Sequence, residues 1–128
     1  MYRIEADIPQ KILRMTFAQQ VGPDDTKSCA EEVRMLLAEM PAGFRLLTDL
    51  SGLEFMDTAC ASHIGQVMDL CNERGVEKVV RVIPDPHKDI GLQILSLFHY
   101  DRDVRIVTCV SMEEANNALG PRTGPAAA

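Results

Sequence analysis

The chain has 128 residues, of which 46% are hydrophobic and 25% are charged, and its formal net charge is -6. This length suffices for one globular domain with its own core and is short for two. The acidic balance and the lack of tryptophan argue against a nucleic-acid partner, whether bound through phosphates or through base stacking.

The start of the chain and its cysteines bear on localisation. Met1–Glu5 contains an acidic residue and lacks the apolar core of an export signal, and no apolar run approaches the roughly 20 residues that span a bilayer. A cytoplasmic protein with no membrane partner is therefore expected. The cysteines are scattered without a Cys-x-x-Cys pair, which favours reduced, buried thiols. They are Cys29, Cys60, Cys71 and Cys109.

The first two segments predict a β-hairpin. Apolar residues alternate with polar or charged ones over residues 2–8 and again over 13–17, which is the period of half-buried strands. The short link at Pro9-Gln10 favours antiparallel pairing of the two strands.

A helix is predicted to follow the strand-breaking stretch Gly22–Thr26, in which aspartate or threonine is suited to the N-cap. Apolar residues then recur at helical spacing as far as Met40, and Pro41–Gly43 ends the helix. Residues 44–50 are apolar on both faces, which predicts a central strand covered by helices. Residues 51–56 are expected to form a loop.

Helices and strands alternate in the second half of the chain. The predicted elements are a helix from Thr58 to Arg74 capped by Asp57, a strand over 78–83, a helix beginning at Asp85-Pro86, a strand over 105–110 and a helix capped by Ser111. The third helix is unusually apolar. Ile90, Ile94 and Leu97 are expected to face its core side, which leaves other apolar residues for a partner or a homodimer. Those residues are Leu92, Leu95 and Phe98.

The predicted order of elements is ββαβαβαβα. Helices that alternate with apolar strands require largely parallel pairing and right-handed crossovers. We therefore predict an α/β fold with a mixed, mostly parallel sheet flanked by helices. One domain is expected over residues 1–119, followed by a disordered tail over 120–128.

The stretch Asp49–Thr58 carries a resemblance to a known family. This stretch begins with Asp-Leu-Ser, continues with an apolar segment and ends with Asp-Thr at a helix start. It resembles the central strand and loop of STAS domains in bacterial anti-sigma-factor antagonists. The motif Gly22-x-x-Asp25 is similar to a Gly-x-x-Asp motif that faces the kinase partner in that family. The resemblance extends over nearly all the chain and implies the STAS fold.

The resemblance also implies a regulatory protein that works by partner switching in the control of transcription. Thr58 takes the place of the family's phosphorylated serine, and the implied partner-binding residues are Gly22, Asp25, Met56, Asp57 and Thr58. The implied partner is an anti-sigma factor or a histidine-kinase-like serine/threonine kinase, which supplies the ATP. The sequence has no phosphate-binding glycine loop of its own, so no cofactor is expected.

Other interpretations of Thr58 stay open. A hydroxyl at a helix start either caps the helix or carries a phosphate, whose charge of about -1.5 to -2 would repel a partner beside Asp57. Ala59-Cys60 follows Thr58, whereas the family commonly has serine or threonine and then glycine. The alternatives are a STAS scaffold without phosphorylation and a small-molecule or lipid-binding STAS-like module.

Other kinds of site are less well supported. A reactive thiol at Cys60 is disfavoured because this residue shares an apolar helix stripe with Ile64. No assembled nucleophile, base and oxyanion site is evident, so the protein is not expected to be an enzyme. Asp49 is expected to support the loop that follows it. No metal site is predicted, because the histidines lack ligand spacing. They are His63, His87 and His99.

Overall fold

The computed structural model describes residues 1–85 and 90–120 of the chain. Their strands and helices are β1 (Tyr2–Asp7), β2 (Ile12–Phe17), β3 (Gln19–Val21), α1 (Pro23–Leu37), β4 (Arg45–Asp49), β5 (Leu53–Met56), a 3₁₀ helix (Thr58–Cys60), α2 (Ala61–Glu73), β6 (Lys78–Val82), α3 (Ile90–His99), β7 (Arg105–Cys109) and α4 (Met112–Leu119).

The main sheet has five strands in the order β1-β2-β4-β6-β7. The first pair, β1 and β2, is antiparallel, as the short link between them predicted, and the other three pairs are parallel. This arrangement confirms the predicted α/β fold with a mixed, mostly parallel sheet. A second sheet contains only β3 and β5, which are also parallel.

Successive side chains of the central strands point to opposite faces of the sheet. Leu46 of β4 and Val79 of β6 join the larger core, to which α1, α2 and α3 also contribute. Leu47 and Val80 face the other way and pack with residues of α4. The central strands are therefore covered on both faces, which explains why residues 44–50 carry apolar side chains on both faces.

The prediction for residues 51–56 was wrong. Leu53–Met56 forms β5 rather than a loop, and its partner β3, over Gln19–Val21, was not predicted. Strands of three or four residues are too short for an alternating pattern to identify them. Their pairing depends on the approach of two segments that are far apart in the chain.

The predicted buried face of α3 was also wrong. Ile94 and Leu97 are 52% and 81% exposed, whereas Leu92 and Leu95 pack against the larger core and Ser96 is buried. A helix with apolar residues on several sides gives no clear periodic signal for the side that faces the core.

Three predictions fall on residues outside the described part of the chain. They concern the start of the third helix at residues 86–89, the side chain of Ile90 and the tail over residues 121–128.

Candidate functional site

Two turns adjoin at one end of the small sheet. Val21, the last residue of β3, lies opposite Met56, the last residue of β5, and the two strands are parallel. The turns that begin at Gly22 and Asp57 therefore leave the sheet on the same side. The backbone N–H of Asp57 donates a hydrogen bond of 3.1 Å to the carbonyl of Val21, which joins one turn to the other.

Thr58 is exposed at the start of the 3₁₀ helix that leads into α2. Asp57 caps this helix, because its carboxylate accepts a hydrogen bond of 2.8 Å from the backbone N–H of Ala59. The predicted cap is therefore confirmed. The predicted helix from Thr58 begins as a 3₁₀ turn, and the α-helix itself begins at Ala61.

The turn before α1 is organised by Gly22 and Asp25. The helix begins at Pro23, so Gly22 occupies the N-cap in place of the aspartate or threonine that the sequence suggested. The Asp25 carboxylate accepts a hydrogen bond of 3.0 Å from the backbone N–H of Gly22. A carboxylate in the first turn is also stabilised by the positive end of the helix dipole.

A partly buried hydrogen bond between α1 and α2 supports the two turns. Thr26 Oγ1 lies 3.2 Å from His63 Nδ1, and the same hydroxyl donates to the carbonyl of Pro23 at 3.1 Å. The contact ties the first turn of α1 to α2, which follows Thr58.

The five site residues implied by the sequence lie on these two adjoining turns. They are Gly22, Asp25, Met56, Asp57 and Thr58. Sequence reasoning missed Thr26 and His63, whose contact has no signal in either segment alone. It also missed Phe55, which is 58% exposed beside Met56. The available signal was an aromatic residue in a stretch predicted to be a loop.

Asp49 supports the loop between β4 and β5, as predicted. Its Oδ1 atom accepts hydrogen bonds from the backbone N–H of Ser51 at 3.0 Å and from the Ser51 hydroxyl at 2.6 Å. The carboxylate at the end of the central strand therefore orders the loop that leads to the Thr58 turn.

All four cysteines are free thiols and buried, as predicted. Burial raises the pKa of Cys29 to about 12, with a smaller contribution from Glu32, and burial likewise raises the pKa of Cys71 to about 12. Cys60 is fully buried, and its thiol donates to the Val21 carbonyl at 3.6 Å.

We expect iodoacetamide to leave all four thiols of the folded protein unmodified at neutral pH. A pKa near 12 lowers the thiolate fraction of Cys29 and Cys71 about a thousandfold below that of an ordinary thiol. Intact-mass spectrometry over time measures this, and the urea-unfolded chain, which should take up four labels, is the control. Rapid labelling of Cys60 in the folded protein would contradict its burial and support the interpretation of Cys60 as a reactive thiol.

Over residues 1–85 and 90–120, no group of three or more histidine, cysteine or acidic side chains is arranged to hold a metal ion. No helix in those ranges is long and apolar enough to cross a membrane.

The chain was compared with known proteins. No protein-family model matches it, and none of the curated proteins does. Solved structures do match. An uncharacterized protein of the DUF3478 family from Shewanella loihica, with a SpoIIAA-like fold, has a TM-score of 0.70 at 12% identity, over 92% of this chain and 93% of that one. The anti-sigma factor antagonist SpoIIAA in its unphosphorylated form has a TM-score of 0.62 at 11% identity, over 93% and 97%.

The chain has the SpoIIAA-like, or STAS, fold. An anti-sigma factor antagonist from Mycobacterium paratuberculosis also matches this STAS domain, with a TM-score of 0.57 at 15% identity over 94% of each chain. The fold implied by the resemblance of Asp49–Thr58 is thereby confirmed. At these identities the structural likeness establishes the fold alone.

Proposed function

We propose that this STAS domain is a partner-switch protein that works by binding. It binds an anti-sigma factor or a histidine-kinase-like serine/threonine kinase, and phosphorylation of Thr58 releases that partner. One observation carries the proposal: the exposed Thr58 turn and the Gly22–Asp25 turn adjoin through the pairing of β3 with β5 and the bond from Asp57 to Val21. A partner that contacts one turn therefore meets the other.

The position of Thr58 allows the domain to stay folded when it is phosphorylated. Thr58 is exposed at a helix start, where backbone N–H groups and the helix dipole favour an anion. The phosphate adds a charge of about -1.5 to -2 beside Asp57 and close to the turn that holds Asp25. The modification therefore changes the partner-binding face and leaves the core intact.

The strand that leads to Thr58 offers apolar contact area when Thr58 is unmodified. Phe55 is 58% exposed, and Met56 is partly buried beside it. Aromatic and methionine side chains contribute strongly and adaptably to protein interfaces. Binding would desolvate Phe55, and a phosphate three residues further along the chain would oppose that desolvation.

The departure from the family pattern after Thr58 leaves the acceptor accessible. Cys60 stands at the position of the family's glycine, and its side chain is 0% exposed. The thiol points into the protein and bonds to Val21 of the neighbouring strand. The surface around Thr58 is therefore not obstructed by the added side chain, and the thiol helps to hold the two turns together.

The test is phosphorylation by the serine/threonine kinase encoded nearest to the gene of this protein, with ATP and magnesium, followed by mass spectrometry of the peptides. We expect a single phosphate on Thr58, retained on residue 58 in Thr58→Ser and absent in Thr58→Ala. Ser62→Ala is the matched control, because Ser62 is also exposed near the start of α2 and its loss should change nothing. A phosphate on another residue, or a kinase that binds the domain without modifying it, would overturn the switch.

A further inference from the structure

A cavity of about 470 Å³ lies between the main sheet, α2 and α3. Phe17, Leu46 and Val79 line it from the sheet, and Val67 and Leu95 line it from the helices. Protein interiors are normally packed without voids larger than a water molecule. A cavity of this volume falls instead in the range of small-molecule sites, about 300–1,000 Å³.

The cavity opens between the starts of α2 and α3. Thr58 and Ala61 on one side, and Gly91 and Ile94 on the other, line it and are exposed to solvent. The deep walls are buried core residues. Among the described residues, the exposed part of the lining therefore adjoins the Thr58 turn.

The phenol of Tyr100 lines the cavity. Tyr100 is 9% exposed, and its backbone N–H donates a hydrogen bond of 3.0 Å to the carbonyl of Ser96, which fixes the backbone at this position. Burial, with a smaller contribution from the neighbouring Cys71, raises the pKa of this phenol, so the group stays protonated and able to donate. A phenol O–H beside an apolar cavity can donate a hydrogen bond to an oxygen of a molecule bound there.

The remaining polar lining favours an oxygen-bearing molecule. Arg81 is 2% exposed and Thr48 is 7% exposed, and both line the cavity from neighbouring positions on β6 and β4. A buried guanidinium makes the interior unfavourable for a cationic ligand and favourable for the negative end of a carbonyl dipole.

We infer that this cavity binds an apolar small molecule that carries a carbonyl or carboxylate oxygen, and that this oxygen accepts a hydrogen bond from the Tyr100 hydroxyl. Apolar walls provide the larger part of the affinity, and the single hydrogen bond orients the molecule. The inference does not depend on phosphorylation or on a protein partner, so it can fail or succeed separately from the proposed function.

The test uses prodan, an apolar naphthalene ketone whose fluorescence shifts to the blue in an apolar site. The probe is excited outside the absorption of tryptophan. We expect saturable, blue-shifted binding to the wild-type protein. Tyr100→Phe should weaken it about three- to tenfold, because one hydrogen bond is lost. Ala61→Trp should weaken it about tenfold or more, because the indole occupies the entrance.

Ala59→Trp is the matched control. Ala59 is exposed like Ala61 and lies two residues away, but it does not line the cavity, so its replacement should leave prodan binding unchanged. Circular dichroism of each variant verifies that it is folded. Absence of saturable binding to the wild type, or equal binding to the wild type and Ala61→Trp, would overturn the site. Equal affinity of Tyr100→Phe and wild type would overturn the assigned hydrogen bond.

Discussion

Phe44→Ala is expected to lower the free energy of unfolding by about 3–5 kcal/mol, a large part of the stability of a domain of this size. Phe44 is 0% exposed and lies directly before β4, the central strand of the sheet. Its carbonyl accepts a hydrogen bond of 2.8 Å from the backbone N–H of Glu77, so the backbone around it is held in place. The space left by the ring therefore cannot close by local collapse. Urea unfolding followed by circular dichroism measures the loss.

Phe98→Ala is the matched control for this prediction. It removes the same atoms from α3, but Phe98 is 80% exposed, so the change should lie within about 0.5 kcal/mol. A loss at Phe98 equal to the loss at Phe44 would show that the outer face of α3 is buried, as the sequence alone had suggested for its neighbour Leu97.

The main sheet could be predicted because its signals are local. Residues 2–8 and 13–17 alternate with the period of a strand, and residues 44–50 have apolar residues on both faces, as expected of a strand covered on both sides. Each pattern repeats often enough within one segment to identify its element. The order of these elements then restricts the connections to a few topologies.

The small sheet could not be predicted in the same way. β3 has three residues and β5 has four, and their register shifts between Gln19 and Gln20. An alternation of apolar and polar residues cannot be recognised over so few residues. The face of α3 that is buried was also beyond local reasoning, because it depends on how Ser96 and its neighbours meet the sheet.

The candidate site was predictable residue by residue but not as a unit. Asp57 and Thr58 are residue types that favour the start of a helix. Gly22 and Asp25 likewise favour the start of a second helix. Their adjacency results from the pairing of β3 with β5, which the sequence did not reveal. The cavity could not be predicted from the sequence for a related reason, since its volume depends on the spacing between the sheet and two helices.

Thr58→Glu is expected to weaken binding of the anti-sigma factor or kinase partner roughly hundredfold, which corresponds to about 2.7 kcal/mol. The carboxylate places a permanent charge beside Asp57, on the turn that adjoins Gly22 through Val21. When a partner covers both turns, this charge loses its contact with water or is repelled by the partner, and either effect lowers the affinity. The folded domain itself should keep its stability, because an acidic side chain is favourable at a helix start.

Isothermal titration calorimetry of the partner with the wild-type protein, Thr58→Glu and Thr108→Glu tests most directly whether the two adjoining turns form the binding face. Thr108 is an exposed threonine on the edge strand β7, so its variant carries the same added charge elsewhere on the domain. We predict a roughly hundredfold loss of affinity for Thr58→Glu and an unchanged affinity for Thr108→Glu. Equal affinities of all three proteins would show that the partner does not bind at the Thr58 turn.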